Sequence, residues 1–174
     1  MSEADSNILF LLGTSNPAGK TRALVDATSM HLPGSHLIDL GRLSIAPYDY
    51  DHRHEADDFS VVAEAVDAAQ VIIFATPVYW YSMSAQLKVT FDRLTDLTET
   101  RKSVGKRLAG KTMFALVNGD PLPEGFLVPF SGTAGYFHMH WGGALNLAVE
   151  SRTFPENQQA RIKNFAACIS QAAK

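Results

Sequence analysis

Four apolar runs, Ile8–Leu12, Val71–Ala75, Met113–Val117 and Ala144–Val149, are nearly continuous, as expected of strands covered on both faces. A weaker run, His36–Leu40, reads as a more exposed strand. Helical spacing fills the gaps. Within Ser82–Leu97 the residues Met83, Leu87, Phe91 and Leu94 recur every three or four positions and paint one stripe on a helix. After Pro155, a residue suited to a first helical turn, Ile162, Phe165, Ala166 and Ile169 form another stripe. Lys20–His31 and Asp57–Ala69 are less regular but free of glycine and rich in helix formers. The segment between the fourth and fifth strands is mixed. Strand and helix thus alternate, which predicts an α/β fold with a five-stranded parallel sheet of order 2-1-3-4-5 and helices on both faces. Ligands of such sheets bind beyond the carboxyl ends of the strands, at the switch between strands 1 and 3.

Composition narrows the picture. A chain of 174 residues with 46% hydrophobic and 19% charged positions is expected to fold as one domain spanning 1–174 and excludes disorder. Fifteen Lys+Arg against eighteen Asp+Glu leave a net charge of −3, so no basic field draws nucleic acid. The single Cys168 forms no internal disulfide and cannot supply the thiolates of an iron–sulfur or structural zinc site, which suits a reducing cytoplasm. Glu3 and Asp5 precede a first apolar run too short for a signal peptide, and no stretch approaches the ~20 apolar residues of a membrane span. The expectation is a soluble cytoplasmic protein with no membrane partner.

The loop after strand 1, Gly13-Thr14-Ser15-Asn16-Pro17-Ala18-Gly19-Lys20-Thr21, runs straight into a helix. Hydroxyls of Thr14, Ser15 and Thr21 can donate to phosphate oxygens, the helix start offers unpaired N–H groups, Gly19 allows close approach, and Lys20 adds a point charge. A capped helix after a turn is the plainer alternative. Ala18-Gly19-Lys20-Thr21 also resembles the end of a P-loop, but the first glycine falls one place early, at Gly13 rather than position 14. The third strand moreover ends in Thr76-Pro77 instead of a carboxylate for Mg²⁺. After that strand, Tyr79, Trp80 and Tyr81 cannot all face one core. Held rigid by Pro77, they can stack on a flat aromatic ligand or anchor a subunit interface. Beside a phosphate loop they favour a mononucleotide carrying a large flat ring.

The segments LFLLGTSNPAGKTRALV and ATPVYWYSMSAQLKVTFDRL resemble the flavodoxin-like NAD(P)H-dependent FMN reductase and multimeric flavodoxin family over nearly the whole chain. The resemblance implies a flavodoxin-like fold, FMN as cofactor and NAD(P)H as co-substrate. It places Thr14, Ser15, Asn16, Lys20 and Thr21 around the FMN phosphate, and Pro77, Val78, Tyr79, Trp80, Tyr81 and Ser82 against the isoalloxazine ring. The phosphate loop departs from the family's usual GSPR-type start. Asn118, Gly119 and Asp120, after strand 4, read as a turn that meets the flavin or as a turn without a ligand; the family uses this loop.

Other clusters call for less. Asp49-Tyr50-Asp51-His52-Arg53-His54-Glu55 collects metal-ligand types without a metal-binding spacing, and Arg53 opposes a cation, so no metal is expected. His138 and His140 share a side if extended and read as a packed or surface pair. Asp92 and Arg93 read as the solvent face of the third helix. No catalytic acid or base is evident. The expected function is an FMN-dependent oxidoreductase that takes hydride from NAD(P)H and reduces a quinone, a free flavin or another small acceptor. A flavodoxin-type electron carrier is the alternative and a P-loop-like nucleotide-binding protein a more remote one. A homodimer or homotetramer, with Tyr79–Tyr81 at its interface, is expected from the apolar rim and from relatives.

Overall fold

The apolar runs pair edge to edge in a parallel sheet. In the computed structural model, which describes residues 7–174, the strands are β1 (Ile8–Leu12), β2 (His36–Asp39), β3 (Val71–Pro77), β4 (Thr112–Asn118) and β5 (His140–Leu147), in the order β2-β1-β3-β4-β5. Glu3 and Asp5, on which the reading of the N-terminus rests, lie outside the described residues. The helices are α1 (Lys20–Ser29), α2 (Phe59–Ala68), α3 (Ala85–Arg93), α4 (Asp96–Glu99), α5 (Lys102–Arg107), α6 (Val128–Tyr136) and α7 (Glu156–Ala172). Alternate residues of each central strand feed two cores. Ile8, Phe10 and Leu12 of β1 join Val71, Ile73 and Ala75 of β3 under α1 and α7, whereas Leu9, Leu11, Ile72 and Phe74 pack against α2, α3 and α6. Burial on both faces is why β1 is wholly apolar and why β3 and β4 hold polar residues only near their ends, at Thr76, Thr112 and Asn118. β2, at an edge, is half exposed.

Two elements depart from the apolar pattern. β5 begins at His140, four residues before its apolar run, and ends at Leu147 rather than Val149. Its register against β4 shifts between Met113 and Phe114, where the Phe114 ring lies against Gly142 and leaves no room for a side chain there. α6 is a helix inside the segment read as mixed. It carries no charged residue, includes Pro129, Gly132 and Gly135, and has no polar face, so no helical period marks it.

Arg93 corrects the expectation of a solvent-facing pair. Asp92 is exposed and bonded to Lys88, but Arg93 is only 3% exposed. Its guanidinium donates to Asp96 (2.9 Å), to Asp57 (2.5 Å) and to the carbonyls of Ala46 (3.0 Å) and His54 (3.2 Å), and lies 4.8 Å from the Phe59 ring centroid. This clasps the 43–58 loop onto α3, a partnership between distant segments that a helix stripe cannot reveal.

Arg93→Ala leaves the buried Asp96 and the partly buried Asp57 without their counter-ion and is expected to cost about 3–5 kcal/mol of stability. Burial pulls the Asp57 carboxyl upward, but hydrogen bonds from Arg93, Ala46 and Phe59 and the Arg93 charge outweigh it and hold its pKa below the ordinary value. A lowered folded-state pKa gives stability that is full above about pH 4 and fades as the carboxyl protonates below it. Urea midpoints of wild type and Arg93→Ala should therefore converge from pH 7 toward pH 2; a constant gap would contradict the assignment.

Candidate functional site

The carboxyl ends of β1, β3 and β4 meet at one rim of the sheet, where Leu12 pairs with Ala75 and Pro77 with Asn118. The chain leaves β1 through Gly13–Gly19 and enters α1 with no side-chain cap and no acidic residue in its first turn. Part of the loop satisfies itself. Asn16 N–H donates to Thr14 Oγ1 (3.2 Å), Ala18 N–H to Asn16 Oδ1 (3.2 Å) and Gly19 N–H to the Asn16 carbonyl (3.0 Å). The rest stays open. Among the described residues, the N–H groups of Thr14, Ser15, Lys20, Thr21 and Arg22 find no acceptor. Thr14 and Thr21 are 4% and 2% exposed, yet their hydroxyls only accept, from Asn16 N–H and, at 3.5 Å, from Asn118 Nδ2. A buried donor without a partner costs about 1–3 kcal/mol. So many unpaired donors at one helix N-terminus form a cradle for an anion.

A buried joint fixes this cradle to the loop after β3. Ser84 Oγ donates to the Gly13 carbonyl (2.8 Å) and accepts from Leu87 N–H (3.3 Å) as the N-cap of α3, while Ser84 N–H donates to Thr76 Oγ1 (3.0 Å). A side chain at Gly13 would meet Leu87 Cβ at 2.7 Å and Ser84 Oγ at 2.9 Å, so only glycine allows the approach. Next to the joint, Tyr79 and Ser82 exchange backbone hydrogen bonds of 2.8 and 3.0 Å across Trp80 and Tyr81, both left-handed, with φ of 46° and 67°. Left-handed aromatic residues are strained, at about 1–2 kcal/mol each. The turn presents Trp80 93% and Tyr81 77% exposed, and their N–H groups are unpaired among the described residues. A flat ring or a second copy of the chain can cover such a surface.

Asn118 lies between the two features. Its carbonyl accepts from Val78 N–H, its Oδ1 from Val149 N–H (3.1 Å), and its Nδ2 donates to Thr21. Gly119 N–H donates to Leu147, and the Val78 side chain fills the space beside Gly119 that a Cβ would need. Asp120 turns toward β5 and α7, accepting from Asn146 Nδ2 (3.0 Å) with Arg161 at 3.8 Å.

Residues 6–122 match the family described as NADPH-dependent FMN reductase. The chain belongs to this family. Members of this FMN reductase family use FMN and a reduced nicotinamide nucleotide. YwqN of Bacillus subtilis, named as an NAD(P)H-dependent FMN-containing oxidoreductase, is 30% identical over 93 residues, 49% of this chain and 50% of its own. The chain spans about half the length of the curated relatives it matches. Two solved structures share the flavodoxin-like fold. RosB, with a bound formylriboflavin phosphate, superposes with a TM-score of 0.71 at 16% identity over 95% of this chain and 78% of its own. General stress protein 14 of Treponema denticola, in complex with FMN, superposes with a TM-score of 0.61 at 16% identity over 95% and 97%.

The donors of the cradle fit the phosphate of FMN. The fold brings Thr14, Ser15, Asn16, Gly19, Lys20 and Thr21 together in the cradle and Tyr79, Trp80, Tyr81 and Ser82 in the strained turn that follows Pro77 and Val78, with Asn118 between them. Asp120 faces away toward α7. Ser84 and Gln86 escaped the sequence reading. Gln86 Nε2 donates to Ser15 Oγ (3.3 Å), and its Oε1 is buried without a hydrogen-bond partner; a serine and a glutamine in the first turn of a helix carry no distinguishing signal.

The acidic and histidine-rich loop is occupied otherwise. Asp49 binds Arg53 (3.1 Å), and Tyr48 donates to Glu99 (2.8 Å), a hydrogen bond that pushes the tyrosine pKa up to about 12. No group of three or more metal-ligating side chains is placed to hold an ion among the described residues. His138 and His140 are both exposed, but the left-handed His138 (φ 55°) prevents the extended pairing.

Tyr81→Gly should relieve strain in the turn and raise the stability of the free protein by up to about 1 kcal/mol, while weakening FMN binding. Thermal melts with and without FMN check this. Lower stability of the free variant would mean that the turn is not strained.

Proposed function

We propose that the protein is an oxidoreductase that holds FMN with its phosphate in the Thr14–Thr21 cradle and its ring against the Trp80–Tyr81 turn. Electrons from NAD(P)H pass through that site to a quinone or free flavin. The observation that carries this reading is the set of unpaired donors at the start of α1, joined through Ser84 to an exposed aromatic turn. When bound, FMN supplies the hydride chemistry, so the chain's own task is to bind, orient and expose. The cradle amides and the Thr14 and Thr21 hydroxyls would donate hydrogen bonds to the phosphate oxygens. The free N–H groups of Trp80 and Tyr81 would be available to polar atoms of the ring, and Pro77 together with the Tyr79–Ser82 hydrogen bonds keeps the turn from yielding. No side chain at this rim is needed as a general acid or base. The open surface beside the turn suits a small planar acceptor.

The purified protein is expected to release FMN, not FAD, on denaturation. Under anaerobic conditions its flavin absorbance should bleach within seconds to minutes of adding NADPH or NADH, and a quinone should restore it. Bleaching by dithionite alone would make the protein an electron carrier, and recovery of FAD would overturn the cradle assignment.

A further inference from the structure

Arg152, in the segment between β5 and α7, lies far in sequence from both loops of the site. Its Nη1 donates to the carbonyl of Ala18 at 2.9 Å, which sets the guanidinium beside the cradle, directly before the first turn of α1. The side chain is exposed, forms no ion pair and has no other hydrogen bond among the described residues. The nearby cations differ from it. Arg22 is committed to Asp26 at 2.7 Å, and Arg161 donates to the Asn146 carbonyl with Asp120 at 3.8 Å. A guanidinium tied by one nitrogen to a neutral carbonyl keeps its remaining N–H donors and its full charge available. A phosphate dianion is the acceptor that such a planar fork matches best. The two buried hydroxyls of Thr14 and Thr21, which accept but do not donate, independently mark the adjacent space as made for an acceptor.

The geometry points to Arg152 as a phosphate-binding residue of the FMN site, closing the cradle from the β5–α7 segment and making the protein select the phosphorylated flavin over riboflavin. This rests on the reading of the cradle as the phosphate site. The amides and hydroxyls of the loop supply directional hydrogen bonds, Lys20 a point charge from within the first turn, and Arg152 a charged fork from a separate segment. The hydrogen bond to Ala18 holds the guanidinium in place before the ligand arrives, so little side-chain freedom remains to be lost on binding.

Titrating FMN and riboflavin by flavin fluorescence against wild type, Arg152→Ala, Arg152→Gln and Arg152→Lys tests the inference. Wild type should prefer FMN. The Ala and Gln variants should bind FMN about 10- to 100-fold more weakly, the range for losing a charged hydrogen bond, and riboflavin within about twofold of wild type. Their FMN affinity should also depend less on salt, and Arg152→Lys should recover part of the loss. Gln keeps a neutral donor on a shorter stem and has no charge. Wild-type FMN affinity in Arg152→Gln would show that the charged fork is not needed for phosphate binding and would overturn the inference, as would an equal loss for both flavins. If wild type itself binds riboflavin as tightly as FMN, the cradle reading falls before any variant is measured. If wild type and the variants show the same preference for FMN, the role of Arg152 falls and the cradle stands.

Discussion

The hydroxyl of Ser84 sets the relation between the two halves of the site. It is fully buried, it donates to the Gly13 carbonyl at the end of β1, and it caps α3 through Leu87 N–H. Through its own N–H it is also bound to Thr76 at the end of β3. The loop that offers donors and the loop that offers aromatic surface are thereby joined by hydrogen bonds shielded from water, where leaving any one unmade costs about 1–3 kcal/mol. Loops normally move relative to one another. These two cannot do so without breaking that joint, so the spacing between cradle and turn is a property of the fold rather than of the ligand.

With the spacing fixed, each half is left unsatisfied in a complementary way. The cradle lacks acceptors: unpaired amides and inward hydroxyls surround a helix N-terminus whose partial positive charge favours an anion. The turn carries backbone strain and exposed rings at Trp80 and Tyr81. Both features lower the stability of the free protein, and an FMN seated as proposed would supply the acceptor to the cradle and cover the exposed rings of the turn. Asn118 binds this arrangement together by linking Thr21, Val78 and Val149 through its side chain and carbonyl.

Most of the fold was legible because strands buried on both faces leave an uninterrupted apolar record. β1 coincides with its run, and β3 and β4 extend theirs by one or two residues. β5 was shifted because its first half, His140–Gly143, is a half-exposed edge with a bulge, and such residues keep no period. α6 was missed because it is apolar all round. The two loops of the site could be read from residue type: glycine, hydroxyls and lysine before a helix, and three aromatics after a proline. What could not be read were long-range partnerships. Arg93 looked like a solvated helix residue until Asp57 from another segment met it, and Ser84, Gln86 and Arg152 belong to the site only through residues about 70 to 134 positions away.

The central claim is that one rigid frame reads a mononucleotide at both ends, phosphate at the cradle and ring at the turn. Backbone amide chemical shifts followed during titration with FMN and with riboflavin test it most directly. FMN should move the amides of Thr14, Ser15, Lys20 and Thr21 together with those of Trp80 and Tyr81, whereas riboflavin should move only the latter two. Cradle amides that stay in place when FMN binds would contradict the account.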